Sequence, residues 1–467
     1  MNTTFRNRFA ISASESARFW SLALLALLGV AAVGLMNGAA TAQEGAAEEV
    51  AAEEVAAEEV AAEEGKSTAE ADDSSAPTVS ETPATEDASA EDASAETSTS
   101  EDEETLPPDP KADQMMEDFD RLMVEWVEAM SAMRAAQIQF HNSTAETEQQ
   151  YREAFQKHQP VARQRYDDLL QHAIKMIEYR SGGAPFLWEF IARSVEHRGE
   201  VDWYEGLAEP AKQLESVLKE GSLPDYHSIA ARALVTAGEF EAAREHLKKS
   251  LRREKPLDCD IRLISTLDAL QQAWQDEQER LAKDPDDLPR VELETTRGKV
   301  LIELYEDQAP NTVANFIQLV EEGFYDQLAF YQVLDQLFAL TGDPIGDGSG
   351  SSGRFIPDES DHPDARATLR GSLVQAKLPK PNSETGETIP DSGSSQLMIL
   401  LLPLKMDNGN FTVFGRVIEG MDAISYLTRL NPSEKSEKNK VVLPPDRVIS
   451  AKVIRKREHD YRVRYVP

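Results

Sequence analysis

Cysteine is almost absent. Cys259 stands alone among 467 residues, so no disulfide can close within the chain and no cysteine cluster can hold a metal. A lone cysteine in a helical stretch reads as a small core residue. Basic residues are the second shortage: 48 Lys and Arg face 84 Asp and Glu, for a formal net charge of -36. The imbalance is local, because Gln43 to Pro107 holds 22 acidic residues against the single Lys66. What remains is mildly acidic and lacks the surface that tracks a phosphate backbone, which argues against nucleic acid as the main partner. The eight histidines, at 141, 158, 172, 197, 227, 246, 362 and 459, show no metal-ligand spacing, and neither a metal nor a cofactor is expected.

Among what is present, the N-terminus has the pattern of an export signal. Arg6, Arg8 and Arg18 precede the apolar run Phe19 to Met36, and Ala40-Thr41-Ala42 offers small residues for cleavage. Cleavage after Ala42 makes residues 1–42 a signal peptide. The competing reading is an uncleaved anchor, since about 18 apolar residues span a bilayer. A membrane contact is expected only in that case. Both readings place the bulk of the chain outside the cytoplasm, in the periplasm or cell envelope.

From Ala46 the motif AAEEV repeats and closes with AAEEG at Gly65, followed by a Ser/Thr/Ala/Pro stretch ending at Pro110. Low hydrophobicity with charge of one sign cannot offset the entropy of ordering, so residues 43–110 are expected to be a disordered acidic linker. Residues 111–286 change character. Met115, Phe119, Leu122, Trp126, Met130 and Met133 recur at helical spacing, and further helices are expected around Glu146 to Lys157, Val161 to Tyr179 and Pro185 to His197. The stripe reads as core against a neighbouring helix; a protein partner on this domain is the alternative. "IAARALVTAGEFEAAREHLKKSL" pairs small residues on two helices across Gly238 and resembles a tetratricopeptide repeat (TPR). A similar turn at Gly199 lies 39 residues upstream, against the repeat's period of about 34. TPR-like hairpins and an ordinary bundle both remain open.

At Asp284 the period becomes strand-like. "RVELETTRGKVLIELY" reads as a hairpin, and Pro310 opens a helix with Val313, Phe316, Ile317 and Val320 on one face. Strands are expected at Ala329 to Leu340, Gly371 to Ala376, Ser395 to Leu402, Phe411 to Val417 and Arg447 to Ile454, with a helix at Met421 to Arg429. The fold class is therefore multidomain: a C-terminal antiparallel β-barrel capped by two helices over 287–460, an all-α domain and acidic linker before it, and a tail at 461–467.

The segments "VELETTRGKVLIELYEDQAPNTVANFIQLVEEGFYD", "TGDPIGDGSGSSG", "SSQLMI" and "FTVFGRVIEGMDAI" resemble the cyclophilin family of peptidyl-prolyl isomerases over about Val291 to Arg455. Gly348 to Gly353 formally matches GxGxxG, but a proline stands where the dinucleotide-binding helix would begin, and cyclophilins carry a Gly-rich loop here. The resemblance implies an apolar slot for a proline ring and an arginine that donates to the proline nitrogen. In this chain Gln332 occupies the arginine position and Tyr331 that of a histidine. Gln396 matches the substrate-positioning glutamine, and Lys377 replaces an asparagine that contacts the peptide. Leu337, Phe338, Leu340, Met398, Met406 and Phe411 stand at the pocket positions, and Lys405 replaces a tryptophan.

Proline-containing or unfolded polypeptide is the expected partner, and an exported isomerase of low activity the first reading. A non-catalytic adaptor or chaperone, gripping extended peptide with groove and helices, is the second. An inert envelope protein is the third.

Overall fold

Local pattern decides most elements, and long-range polar contacts decide how they meet. A computed structural model describes residues 109–144, 146–179, 185–216, 218, 223–381, 387–406, 411–432 and 444–466. The export signal and nearly all of the acidic segment lie outside the described residues. Among those described, no helix is long and apolar enough to cross a membrane. The elements below all belong to one compact unit, Pro110–Pro467.

The helices are α1 (Pro110–His141), α2 (Glu148–Tyr179), α3 (Pro185–Glu200), α4 (Ala208–Glu215), α5 (Tyr226–Ala237), α6 (Phe240–Ser250) and α7 (Asp258–Leu281). Phe119 and Trp126 of the α1 stripe are buried, with the Trp126 ring 5.6 Å from that of Tyr166 on α2, so the stripe is core. The two helices expected between Glu146 and Tyr179 are one. Pro160 lies within α2 on its exposed face, while Phe155, Gln159, Ala162 and Tyr166 are buried around it and hold both halves. The turn expected at Gly199 is also displaced, because Gly199 is still helical in α3. A β-carbon there would lie 2.6 Å from Ile229, so glycine is what allows α3 and α5 to touch. Gly238 ends α5 in the left-handed region (φ 82) and turns the chain into α6. Cys259 is buried, and burial pushes its thiol up to about 11.

Strands β1 (Arg290–Thr295), β2 (Gly298–Leu304), β3 (Gln332–Leu334), β4 (Phe338–Thr341), β5 (Ser372–Gln375), β6 (Leu397–Leu400), β7 (Val413–Glu419) and β8 (Val448–Arg455) form one sheet in the order β3-β4-β6-β5-β7-β2-β1-β8. Each strand pairing is antiparallel. The sheet curls until its outer strands approach, where Phe330 N–H donates to Asp446 O and Val448 N–H to Leu328 O, both at 2.8 Å. Helix α8 (Pro310–Glu321) and the short α9 (Met421–Ser425) pack on the inner face. Phe316, Phe330 and Phe414 anchor that core, each side chain contributing roughly 1.5–3 kcal/mol relative to exposure. The expected helix from Met421 ends at Ser425 rather than Arg429, the strands between Ala329 and Leu402 are shorter than expected, and β7 keeps its expected length but lies two residues later; the sheet bends at register shifts and turns. Near the end of the described residues, Asn311 exchanges two hydrogen bonds with the Arg464 backbone.

Helices and sheet are joined by buried charge. Asp202, fully buried and in the left-handed region (φ 56), accepts from Tyr204 Oη (2.6 Å), Arg429 Nη2 (3.0 Å) and Gln336 N–H (2.9 Å), with Arg232 Nη1 at 3.6 Å. Arg262 of α7 donates to Gln336 O at 2.7 Å, so the β3–β4 turn is gripped on both sides of one residue. Glu277 of α7 binds Arg366 (3.0 Å) and Tyr305 (3.2 Å) farther along. Arg370 pairs with Glu205 at 2.7 Å.

Asp202→Ala leaves Arg232 buried without its carboxylate and should cost about 3–5 kcal/mol. Urea unfolding measures this, and a loss below about 1 kcal/mol contradicts the role given to Asp202.

A second test concerns acid. Burial opposes ionisation of Asp446, but Arg297, the Thr296 hydroxyl and the Thr428 N–H outweigh it and hold the carboxyl below its ordinary value. A lowered folded-state pKa contributes stability above the unfolded value of ~3.9, and that stability is lost as pH falls through the folded value. The unfolding midpoint should therefore fall on acidification below about pH 4. Asp446→Asn should flatten that decline and cost roughly 3 kcal/mol near neutrality.

Candidate active site

Strand register aligns one residue from each of five neighbouring strands. Gln332 of β3 opposes Leu340 of β4, Leu340 opposes Met398 of β6, Met398 opposes Val374 of β5, and Val374 opposes Val413 of β7. Directly opposed residues share a face, so Gln332 stands at the end of an apolar row. That row lies on the outer side, since Ala339, Ile399 and Leu373, the alternating neighbours, belong to the inner core. Phe330 and Val333 both point inward, which places Tyr331 and Gln332 consecutively outside.

A second apolar cluster covers this outer face. It contains Tyr331, Leu340, Val374 and Met398, with Leu337, Phe338, Ala376, Met406 and Phe411 packed half-buried against it. All six apolar positions singled out in the sequence therefore meet in one patch. Leu340 and Met398 are 8 % and 7 % exposed, so they form a floor, and the accessible rim is made by Leu337, Phe338, Met406 and Phe411.

The polar groups differ sharply in how committed they are. Gln396 accepts from Tyr331 Oη (2.6 Å) and donates to Gly348 O (3.0 Å) and Gly350 O (2.7 Å), which uses both amide hydrogens. Burial pushes the Tyr331 phenol well up, so it stays a donor at neutral pH. Lys377 spends its charge on Asp358 at 2.5 Å, with a side chain only 3 % exposed. Lys405 is exposed at the rim. Gln332 is half-exposed, and its side-chain amide makes no hydrogen bond to another described residue. The site thus offers one available amide beside an apolar floor.

The Gly-rich loop turns its N–H groups inward. Asp343, 1 % exposed, accepts from Ile345 (2.7 Å), Asp347 (3.1 Å) and Gly348 N–H. Of the formal GxGxxG match only Gly348 joins the turn around Asp343; Ser349 N–H turns to Asp347 and Gly353 N–H to Ser351 Oγ, and among the described residues no helix follows directly to receive a phosphate. The Tyr331–Gln396 bond was not foreseen from sequence, because nothing local signals a contact across 65 positions.

The fold brings together two histidines that are distant in sequence. Residues 227 and 246 carry no ligand spacing in sequence, yet α5 and α6 bring their Nδ1 atoms to 3.1 Å, and Glu215 of α4 joins them. A 19-residue separation across a helical hairpin is invisible to local patterns.

Residues 290–453 match the family described as cyclophilin type peptidyl-prolyl cis-trans isomerase/CLD. The peptidyl-prolyl cis-trans isomerase ppi1 of Schizosaccharomyces pombe is 37% identical over 136 residues, 29% of this chain and 81% of that protein. The peptidyl-prolyl cis-trans isomerase-like 1 of Neurospora crassa is 32% identical over 171 residues, 36% of this chain and 96% of its own length. A Cryptosporidium parvum cyclophilin, solved in the presence of the dipeptide Ala-Pro, aligns with a TM-score of 0.30 at 25% identity, over 36% of this chain and 99% of that one. The family match and the two sequence relatives show that the chain belongs to the cyclophilin-type peptidyl-prolyl cis-trans isomerase family.

Proposed function

We propose that the chain is an exported peptidyl-prolyl isomerase of low activity that acts on proline-containing segments of unfolded polypeptide. The observation that carries this reading is the row from Gln332 through Leu340 to Met398, in which a neutral amide adjoins an apolar floor. Rotation about an X–Pro bond faces a barrier of about 20 kcal/mol because amide resonance is lost. No nucleophile is needed. An apolar floor that takes the pyrrolidine ring and a donor to the nitrogen as it pyramidalises are sufficient. Gln332 supplies such a donor without charge, and charge-assisted bonds are roughly twice as strong as neutral ones. Losing a transition-state donor of that kind costs on the order of a hundred- to a thousandfold in rate. Gln396 orients Tyr331 and the Gly-rich loop in this reading.

Holding without catalysis is the second reading, favoured by the half-buried rim of Phe338 and Phe411 together with the committed Gln396 amide. The helical hairpins, TPR-like in their small-residue pairing, would add a second surface for an extended chain. The acidic segment then acts as a solvated spacer behind a cleaved signal.

An isomerisation assay on a Xaa-Pro peptide tests the proposal. Wild type should be slow, and Gln332→Arg should raise kcat/KM at least about tenfold, a gain of about 1.4 kcal/mol in transition-state binding. A wild-type rate in the range of arginine-bearing cyclophilins contradicts it. Phe338→Ala should weaken peptide binding about tenfold in a titration. If neither isomerisation nor peptide binding is detected, both readings are lost.

A further inference from the structure

We propose that Glu215, His227 and His246 form a binding site for a zinc-class divalent ion, seated in the helical hairpins away from the outer face of the sheet. The three residues come from the end of α4, the start of α5 and the last turns of α6, and one ligand atom from each lies within 4.8 Å of the others. The two imidazoles face each other Nδ1 to Nδ1 at 3.1 Å. Two ligands on a tetrahedral ion at about 2.0–2.1 Å stand about 3.3 Å apart, so this spacing needs almost no adjustment. Glu215 Oε2 now lies 3.5 Å from His246 Nε2, the other nitrogen of that ring, so with both Nδ1 atoms on the ion the exposed carboxylate has to swing from Nε2 to the ion to complete the set. Its second oxygen, Oε1, is held by the Lys249 ammonium. That division leaves Oε2 to the ion and lets the lysine fix the carboxylate from outside, as supporting hydrogen bonds do in metal sites.

The surroundings hold the rings in place. Tyr226 packs against both imidazoles, with centroids at 5.0 Å and 5.6 Å, while its hydroxyl is anchored on Ala211 O at 2.5 Å. His246 is 3 % exposed, whereas Glu215 is exposed, so the ion would be reached from one side and a water could complete four ligands. Burial lowers the pKa of both imidazoles, in keeping with neutral lone-pair donors. Two nitrogen donors and one oxygen suit zinc and its first-row neighbours better than magnesium or calcium, which favour all-oxygen shells. A bound ion would tie α4, α5 and α6 at a single point.

Titration of the full chain with Co2+ and Zn2+ tests this. One equivalent of Co2+ should give the visible absorption of a tetrahedral ion and be displaced by Zn2+, and Zn2+ should raise the melting temperature. His227→Ala and Glu215→Gln, both at positions open to solvent, should keep the helical circular dichroism and weaken binding by at least about tenfold. If wild type gives neither absorption nor a thermal shift, the histidine contact is a simple hydrogen bond and the proposal fails. It fails equally if both variants bind as wild type does, since the ion then sits on other carboxylates such as those of residues 43–107.

Discussion

The β3–β4 turn takes its position from a carboxylate that belongs to neither strand. Asp202 lies in the connection between α3 and α4, without contact with water, and a buried charge in that position is tolerated only with its donors in place. Those donors come from both parts of the unit: Tyr204 and Arg232 from the helical side, Gln336 N–H and Arg429 from the sheet side. Pulling helices and sheet apart would strand Asp202 and Arg232 together. Charge satisfaction therefore helps to specify how helices and sheet meet. Gln332, Leu337 and Phe338 flank the gripped turn, so the geometry of the candidate site is coupled to helices that do not line it.

Along the outer face the same logic separates structural from available groups. The apolar cluster continues past the groove to Leu288, Tyr305 and Leu281, where α7 covers the sheet and Arg366 stacks over Tyr305 at 4.1 Å. At that end Glu277 ties α7 to Arg366 and Tyr305. The other end, around Gln332 and the rim, is where side chains stay half-exposed. Polar groups that a peptide would ordinarily meet are consumed within the fold: Gln396 braces the Gly-rich loop and Lys377 binds Asp358. Among the described residues, the Gln332 amide is left beside the apolar floor.

Much was legible in the sequence because it depends on neighbours in the chain. The family resemblance, rather than any local pattern, placed Leu340, Met398 and Phe338 at one pocket. Apolar spacing marked α1 and α8, alternation marked β1 and β2, and Gly238 marked the α5–α6 turn. Each of these follows from a local period or a backbone requirement. The two helices expected between Glu146 and Tyr179 form one, since burial on both sides of Pro160 outweighed the lost hydrogen bond.

Tertiary structure alone decided the rest. Partners separated by 134 positions at Gln336–Asp202, by 65 at Tyr331–Gln396 and by 19 at His227–His246 carry no local signal. The sequence determined which side chains exist and which faces must be buried. The fold determined which buried polar groups find one another, because hydrogen bonds and ion pairs act over a few ångströms and only the packed chain brings such distant residues within that range.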